Sequence, residues 1–127
     1  MSADDGGCRF AGYAALFGVP DRGGDVVMPG AFGAGGAVPL LWQHGGAPVG
    51  EAEVREDARG LRVIGRVTAP GLAAMVRGGA VTGLSFGFRA LASRQGAVRR
   101  LERVALAEVS LVRRPMQPLA RVHAVIG

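Results

Sequence analysis

The 127-residue sequence predicts a mainly β fold with one or two short helices (α+β), arranged as a small closed or nearly closed β-barrel. About seven or eight short runs of apolar and β-branched residues recur along the chain, as is typical of strands. Turn-forming residues separate these runs, because 22 glycines and 7 prolines are spread through the sequence. Many short strands with few helices favour a barrel.

The first half of the chain begins with an aromatic and apolar run over residues 9–18, which predicts a strand that opens the sheet. Residues 19–36 are rich in glycine, proline and aspartate, which indicates a long loop with Pro29 at the start of a short helix. Residues 38–42 are an apolar strand. His44 follows that strand and precedes a glycine pair, so we expect it where the strand meets a turn.

The second half contains the clearer helix, because Pro70–Arg77 places Leu72, Ala73 and Val76 on one face. The predicted strands of this half cover residues 51–56, 61–67, 81–91, 98–112 and 119–126. The first two are expected to form a hairpin. Because one core suffices for a chain of this length, residues 1–127 are predicted to be a single domain.

Composition argues against several classes of function. The formal charge of +5 comes from 15 basic residues, all arginine, which are scattered and lack interleaved aromatics, so no specific nucleic-acid binding is expected. A single cysteine and two distant histidines predict neither a metal centre nor another cofactor. No apolar run approaches the roughly 20 residues of a membrane span, and residues 1–5 are acidic, unlike a signal peptide. We therefore expect a cytoplasmic protein that does not contact a membrane.

The sequence contains the parts of an acyl-transfer site, which needs a hydroxyl nucleophile, an imidazole base, an orienting acid and N–H donors for the oxyanion. Ser85 lies between Gly83 and Gly87, so its side chain has little steric cover. His44 is expected at the rim of the core, where an imidazole can titrate near neutrality. Each also has a structural explanation, as an ordinary strand serine and a surface histidine.

The candidate acid is Glu108. Glu108 and Ser110 alternate with apolar residues, so in a strand both polar side chains face the same way. An acid on the face that carries an imidazole would fix its tautomer. The alternative is a half-exposed strand glutamate paired with an arginine such as Arg103 or Arg113.

Two further acids, Asp21 and Asp25, lie in the glycine-rich loop, where aspartates usually form turns by bonding to nearby backbone. That interpretation is preferred for both. Periodicity alone does not bring His44, Ser85 and Glu108 together, because they are far apart along the chain.

Five groups of residues, in the same order, resemble the tailed-phage prohead protease family and together cover most of residues 10–118. The groups are Gly12-Tyr13-Ala14 with Phe17-Gly18, Asp25-Val26-Val27 with Pro29-Gly30-Ala31-Phe32, Leu41-Trp42-Gln43-His44, Gly83-Leu84-Ser85-Phe86-Gly87-Phe88, and Glu108-Val109-Ser110-Leu111-Val112 with Pro115. The resemblance implies an assemblin-like β-barrel, related to the herpesvirus assemblin proteases. It also implies a serine protease with His44 as the base and Ser85 as the nucleophile.

The resemblance leaves the third member of the triad open. The phage family carries an acid in the segment that contains Glu108, whereas assemblin-like enzymes use a second histidine, for which His123 is the candidate. In assemblin-like proteases an arginine pair near the third member helps to form the oxyanion hole, so Arg113 and Arg114 are candidates for that role.

The implied substrate is the scaffolding or N-terminal segment of a major capsid protein, cleaved inside the procapsid in the host cytoplasm. The protease itself is a second possible substrate, and self-association is possible. The source could be a phage, a prophage or a phage-derived gene transfer agent. Proteases of this family commonly carry a C-terminal extension, and the shortness of this sequence is interpreted as a minimal or tail-trimmed form. Two alternatives stay open: a non-enzymatic capsid barrel that binds scaffold, and an arginine-rich barrel that binds nucleic acid.

Overall fold

The computed structural model describes residues 7–127, and the acidic start of the chain lies outside these residues. The described part contains eight strands and one helix. In chain order they are β1 (Cys8–Leu16), β2 (Asp25–Val27), β3 (Gly36–Trp42), β4 (Gly45–Glu56), β5 (Gly60–Val67), α1 (Pro70–Arg77), β6 (Gly83–Gln95), β7 (Arg99–Val112) and β8 (Val122–Val125). The predicted mainly β fold is confirmed.

Strand β7 organises the sheet because it has neighbours on both edges. β6 runs antiparallel along one edge. β2 and β3 lie one after the other on the opposite edge, and both are parallel to β7. The sheet then continues from β3 through β4, β5 and β1 to β8. β3 is thereby placed beside the second half of β7, and β1 beside β8.

The sheet curls so that its far end returns to β6. Gly83 forms a bridge with Arg121, just before β8. The backbone N–H of Leu84 donates to the Ala120 carbonyl at 2.9 Å, and that of Val122 donates to the Thr82 carbonyl at 2.7 Å. This short contact brings the curled sheet close to a closed barrel, as the sequence predicts.

The barrel interior is filled mainly by aliphatic side chains, together with the ring of Phe10. The largest fully buried side chains include Phe10, Leu40, Leu61, Leu84, Leu101 and Leu111. Burying such a side chain contributes about 1.5–3 kcal/mol. Because successive strand residues point to opposite faces, inward-facing Val109 and Leu111 place Glu108 and Ser110 on the outer face of β7.

Helix α1 forms over the predicted residues. Pro70 begins it, where a missing N–H costs nothing because the first turn has no acceptor for it. Ala73 and Val76 are buried against the barrel. The helix ends at Gly78, whose N–H donates to the Ala74 carbonyl at 2.9 Å. It is too short and too polar to cross a membrane, and no other helix is described.

The prediction of a short helix that begins at Pro29 is wrong. Residues 29–34 form turns, and Gly30 (φ +89°) and Gly33 (φ +68°) have backbone conformations outside a right-handed helix. The same loop contains β2, which the sequence did not predict. β2 is held by β7 and by Arg99, which donates two hydrogen bonds to the Asp25 carboxylate at 2.8 and 2.9 Å. Partners 74 residues away therefore determine the local structure.

Candidate active site

His44 lies in a tight turn between β3 and β4. Gln43 and His44 are the two residues between the paired Trp42 and Gly45. Their φ angles are 54° and 62°, both in the left-handed region. A two-residue hairpin loop needs this conformation, but Asn-Gly is the favoured sequence for it. For other residues the left-handed conformation costs roughly 1–2 kcal/mol each.

The strained turn is held by β7 and the residue that follows it. The Gln43 N–H donates to the Leu111 carbonyl at 2.9 Å. The backbone N–H of Arg113 donates to the Gln43 side-chain Oε1 at 2.7 Å. The His44 N–H donates to the Ser110 Oγ at 3.0 Å. These three bonds fix the turn against one strand.

Glu108 meets the imidazole of His44. The distance from His44 Nδ1 to Glu108 Oε1 is 2.6 Å, and the Ser110 hydroxyl donates to Glu108 Oε2 at 2.7 Å. Glu108 is 8% exposed and Ser110 is fully buried. An ionised carboxylate only accepts hydrogen bonds, so a neutral His44 carries its proton on Nδ1 and leaves Nε2 as a base. The His44 side chain is 42% exposed, so the ring is open to the surface.

Ser85 lies on the same face as this pair. In the antiparallel ladder of β6 and β7, Ser85 is opposite Ser110 and Gly87 is opposite Glu108. Opposed residues share a face, with Cα atoms about 4.5–5.5 Å apart. Ser85 is 6% exposed, and its hydroxyl has no hydrogen-bond partner among residues 7–127. Ser110 thus separates Ser85 from the His44 turn.

Gly87 is required by the position of Glu108. A Cβ atom on Gly87 would overlap Glu108 Oε1, so a side chain there would force the carboxylate to move. The φ of Gly87 is not positive, so the backbone conformation does not itself require glycine. The sequence suggested that the small residues around Ser85 give access to it. In the structure the space above Gly87 is occupied by the Glu108 carboxylate, which contacts His44.

The other candidate residues lie apart from this pair or make different contacts. The Arg113 guanidinium stacks over the Trp42 ring, 5.4 Å from its centroid. Arg114 is exposed in the bend after β7. The ring of His123, on β8, packs against Tyr13 at 5.4 Å. None of the described contacts pairs Glu108 with Arg103 or Arg113.

Among the described residues, the loop aspartates Asp21 and Asp25 and the cysteine Cys8 do not contribute to the site. Asp21 Oδ1 accepts the backbone N–H groups of Gly23 and Asp25 at 2.8 and 2.9 Å, as expected of a turn aspartate. Burial raises the pKa of the Cys8 thiol, so this residue is a poor nucleophile. In the described part of the chain no three His, Cys, Asp or Glu side chains are grouped as they would be around a metal ion.

The sequence predicts Ser85, His44 and Glu108 as site residues, and the structure adds two residues that hold the His44 turn or the Glu108 carboxylate, Ser110 and Gln43. The sequence assigns Ser110 only a face shared with Glu108, and it assigns Gln43 no role of its own. The signal for Ser110 is the Glu-x-Ser alternation itself, since the hydroxyl lies beside the carboxylate. Nothing in the sequence links Gln43 to Arg113, because 70 residues separate them.

Comparison with known proteins supports a family assignment. Residues 1–126 match the family described as Caudovirus prohead serine protease. The prohead protease of Enterobacteria phage HK97 is 37% identical over 92 aligned residues, which cover 62% of this chain and 41% of that protein. This chain therefore spans less than half of that relative.

The fold also resembles a solved structure. The crystal structure of KSHV protease in complex with a hexapeptide phosphonate inhibitor matches with a TM-score of 0.56 and 15% sequence identity. The match covers 84% of this chain and 59% of that one, and it confirms the predicted assemblin-like fold. With the family match extending over nearly the whole sequence, the chain belongs to the caudovirus prohead serine protease family.

Proposed function

We propose that this chain is a serine endopeptidase in which Ser85 is the nucleophile, His44 the general base and Glu108 the acid that orients His44. The observation that carries the proposal is the 2.6 Å contact between His44 Nδ1 and Glu108 Oε1, on the face of the sheet that carries Ser85. A strained, partly exposed imidazole held by a buried carboxylate is typical of a catalytic base.

The proposed reaction has two halves. As the Ser85 Oγ attacks the peptide carbonyl, its proton passes to His44 Nε2. His44 then gives this proton to the departing amine, and the acyl group stays on Ser85 as an ester. In the second half a water attacks the ester while His44 takes a proton from it, and the proton returns to Ser85 as the new carboxylic acid leaves. Glu108 stabilises the transient imidazolium throughout.

The oxyanion needs N–H donors close to Ser85. The Arg113 backbone N–H is already bonded to Gln43, and its guanidinium lies over Trp42. No described residue pairs with the guanidinium of Arg114. Arg114 is therefore the stronger candidate of the two. Loss of one oxyanion donor typically lowers the rate about 100- to 1,000-fold.

The proposed substrate is the scaffolding or N-terminal segment of a major capsid protein, with the protease chain itself as a second possible substrate. Family membership supports this choice, because the description of the family names the prohead, which is the immature capsid. Cleavage would then take place inside the procapsid in the host cytoplasm. Confinement there keeps the protease away from unassembled subunits and raises its local concentration, which favours self-association.

The experiment is to co-express the chain with its cognate capsid protein and to follow the mass of the capsid protein. We expect loss of an N-terminal segment with the wild-type chain and none with Ser85→Ala. Ser93→Ala is the matched control, because Ser93 is an exposed serine on the same strand. Identical masses with wild type and Ser85→Ala would contradict the proposal and favour the non-enzymatic capsid barrel.

A second assay separates catalysis from the choice of substrate. The purified chain is incubated with a fluorophosphonate probe, which forms a covalent bond with an activated serine. Wild type and Ser93→Ala are expected to be labelled, whereas Ser85→Ala is not. Labelling at Ser85 without capsid cleavage would keep the enzyme assignment and reject the substrate.

A further inference from the structure

Ser110 occupies the junction between the two residues proposed as base and acid. Its hydroxyl accepts the backbone N–H of His44 at 3.0 Å and donates to Glu108 Oε2 at 2.7 Å. Ser110 is fully buried, and it is also the residue directly opposite Ser85. The Ser110 hydroxyl therefore connects the His44 turn to the Glu108 carboxylate, at the position on β7 that is opposite Ser85.

A buried serine needs hydrogen-bond partners in any case, because an unsatisfied hydroxyl in a protein interior is costly. That need alone does not determine which partners it takes, and strand serines usually bond to nearby backbone or water. Here both partners belong to the proposed catalytic pair. This choice of partners distinguishes Ser110 from a serine that is merely accommodated in the sheet.

We infer that Ser110 is a positioning residue for the proposed reaction, and that it acts by fixing His44 and Glu108 relative to each other. The inference rests on the proposed function of these two residues. The hydroxyl holds one carboxylate oxygen, so that the other oxygen faces His44 Nδ1. The terminal torsion of a glutamate is broad, so without this bond the carboxylate can rotate away from the ring. Because the same hydroxyl accepts the backbone N–H of His44, it ties that carboxylate oxygen to the turn that carries the ring.

The test measures inactivation by the fluorophosphonate probe, which separates the rate of bond formation from probe affinity. Ser110→Ala is expected to lower the maximal inactivation rate about 10- to 100-fold, since a displacement near 1 Å can cost that much. The probe concentration for half-maximal rate should change less than about threefold. Ser110→Thr keeps the hydroxyl and should restore most of the rate. Ser93→Ala is the matched control.

A double-mutant cycle tests whether Ser110 acts through Glu108. If it does, adding Ser110→Ala to Glu108→Gln should lower the inactivation rate by less than about threefold. If the two losses multiply, Ser110 has an independent role and the inference fails. Melting curves show whether each variant is folded, and a rate loss that only follows unfolding would also overturn it.

A spectroscopic measurement tests, without reference to catalytic activity, whether Ser110 fixes His44 and Glu108 relative to each other. The Nδ1 proton between His44 and Glu108 should give a downfield proton NMR signal, which His44→Gln assigns because the chain has two histidines. Ser110→Ala should broaden or abolish this signal through exchange with water. An unchanged signal would overturn the positioning role. Absence of Ser85 labelling in the wild type would overturn the proposed function and with it the catalytic role of Ser110, whereas loss of the signal in Ser110→Ala would still show that Ser110 fixes His44 and Glu108.

Discussion

Two carboxylates in this molecule each hold a ring from a distant part of the chain, and they do so in opposite ways. Asp57 lies in the turn between β4 and β5 and accepts the hydroxyl of Tyr13, which is buried in β1. Glu108 lies in the middle of β7 and binds His44, which lies in a turn. In the first pair the turn provides the acid, and in the second it provides the ring.

The Asp57 pair follows local preferences. Asp57 Oδ1 accepts the backbone N–H groups of Arg59 and Gly60 at 2.8 and 3.2 Å, as aspartates in turns commonly do. The Tyr13 ring is covered further by Arg59 and His123. No residue of this turn has a positive φ. The pair connects β1 to the hairpin of β4 and β5, and it has a structural role.

The Glu108 pair departs from local preferences at His44. Two successive non-glycine residues have left-handed backbone, and the ring is left partly exposed with one nitrogen free of the carboxylate. Strained backbone is retained where the surrounding structure fixes it, and such positions cluster at functional sites. A contact between a carboxylate and a ring therefore does not by itself identify a site, whereas strained backbone and exposure at the residue that carries the ring do.

The largest expected effect on the labelling rate comes from removing the negative charge of Glu108. Glu108→Gln should lower the rate of fluorophosphonate labelling about 10,000-fold, because it no longer selects the required tautomer of the histidine. Asp57→Asn, the matched change in the other pair, should leave the rate within about twofold. If both variants label at similar rates, the functional distinction between the two pairs is wrong.

A smaller loss is expected from Gly87→Ala. The new methyl group would lie where the Glu108 carboxylate is, so the carboxylate must move away from His44. Such a displacement should lower the labelling rate roughly 100-fold. Gly96→Ala is the control, because the nearest atom to a Cβ there is 3.7 Å away. Equal rates for the two variants would show that the observed carboxylate position does not matter.

The strain at His44 can be measured without reference to activity. His44→Gly and His44→Ala both remove the imidazole and differ only in backbone preference. In the left-handed conformation glycine should be more stable by about 1–2 kcal/mol. In an ordinary strand or helix alanine would be the more stable of the two. The free energies of unfolding of the two variants, measured in urea, show which of them is the more stable.

The smallest expected effect is the pH dependence contributed by Asp57. Partial burial raises the pKa of this carboxyl, but hydrogen bonds from Tyr13, Arg59 and Gly60 lower it more, and the net pKa lies below its ordinary value. The stabilisation is therefore complete above the unfolded pKa of about 3.9 and is lost as pH falls through the lower folded value. In urea unfolding between pH 2 and 7, Asp57→Asn should lose less stability on acidification than wild type. Parallel curves would contradict this.

Local sequence patterns predict the elements whose formation depends on residues that are adjacent along the chain. Helix α1 has a proline at its start and an apolar face, so its bounds were correct. The shared face of Glu108 and Ser110 followed from strand alternation. The Pro29 helix failed because Gly30 and Gly33 have backbone conformations that a helix excludes, and because β2 is fixed by its pairing with β7.

The assembly of the candidate site could not be predicted from spacing. His44 and Glu108 are 64 residues apart and meet only because β3 pairs in parallel with β7. No periodic pattern encodes that pairing. Resemblance to a family predicts the three residues, and the structure adds two contacts that the resemblance does not give. These are the Glu108 carboxylate over Gly87 and the Ser110 hydroxyl between His44 and Glu108.

The central place of β7 also determines when the site can form during synthesis. β7 is the seventh of eight strands along the chain, yet it is the strand against which β2, β3 and β6 pair. A nascent chain that ends before Arg99 contains His44 and Ser85 but neither Glu108 nor any part of β7. The proposed catalytic pair can therefore form only after nearly all of the described residues have been synthesised, and such distant pairings then form slowly.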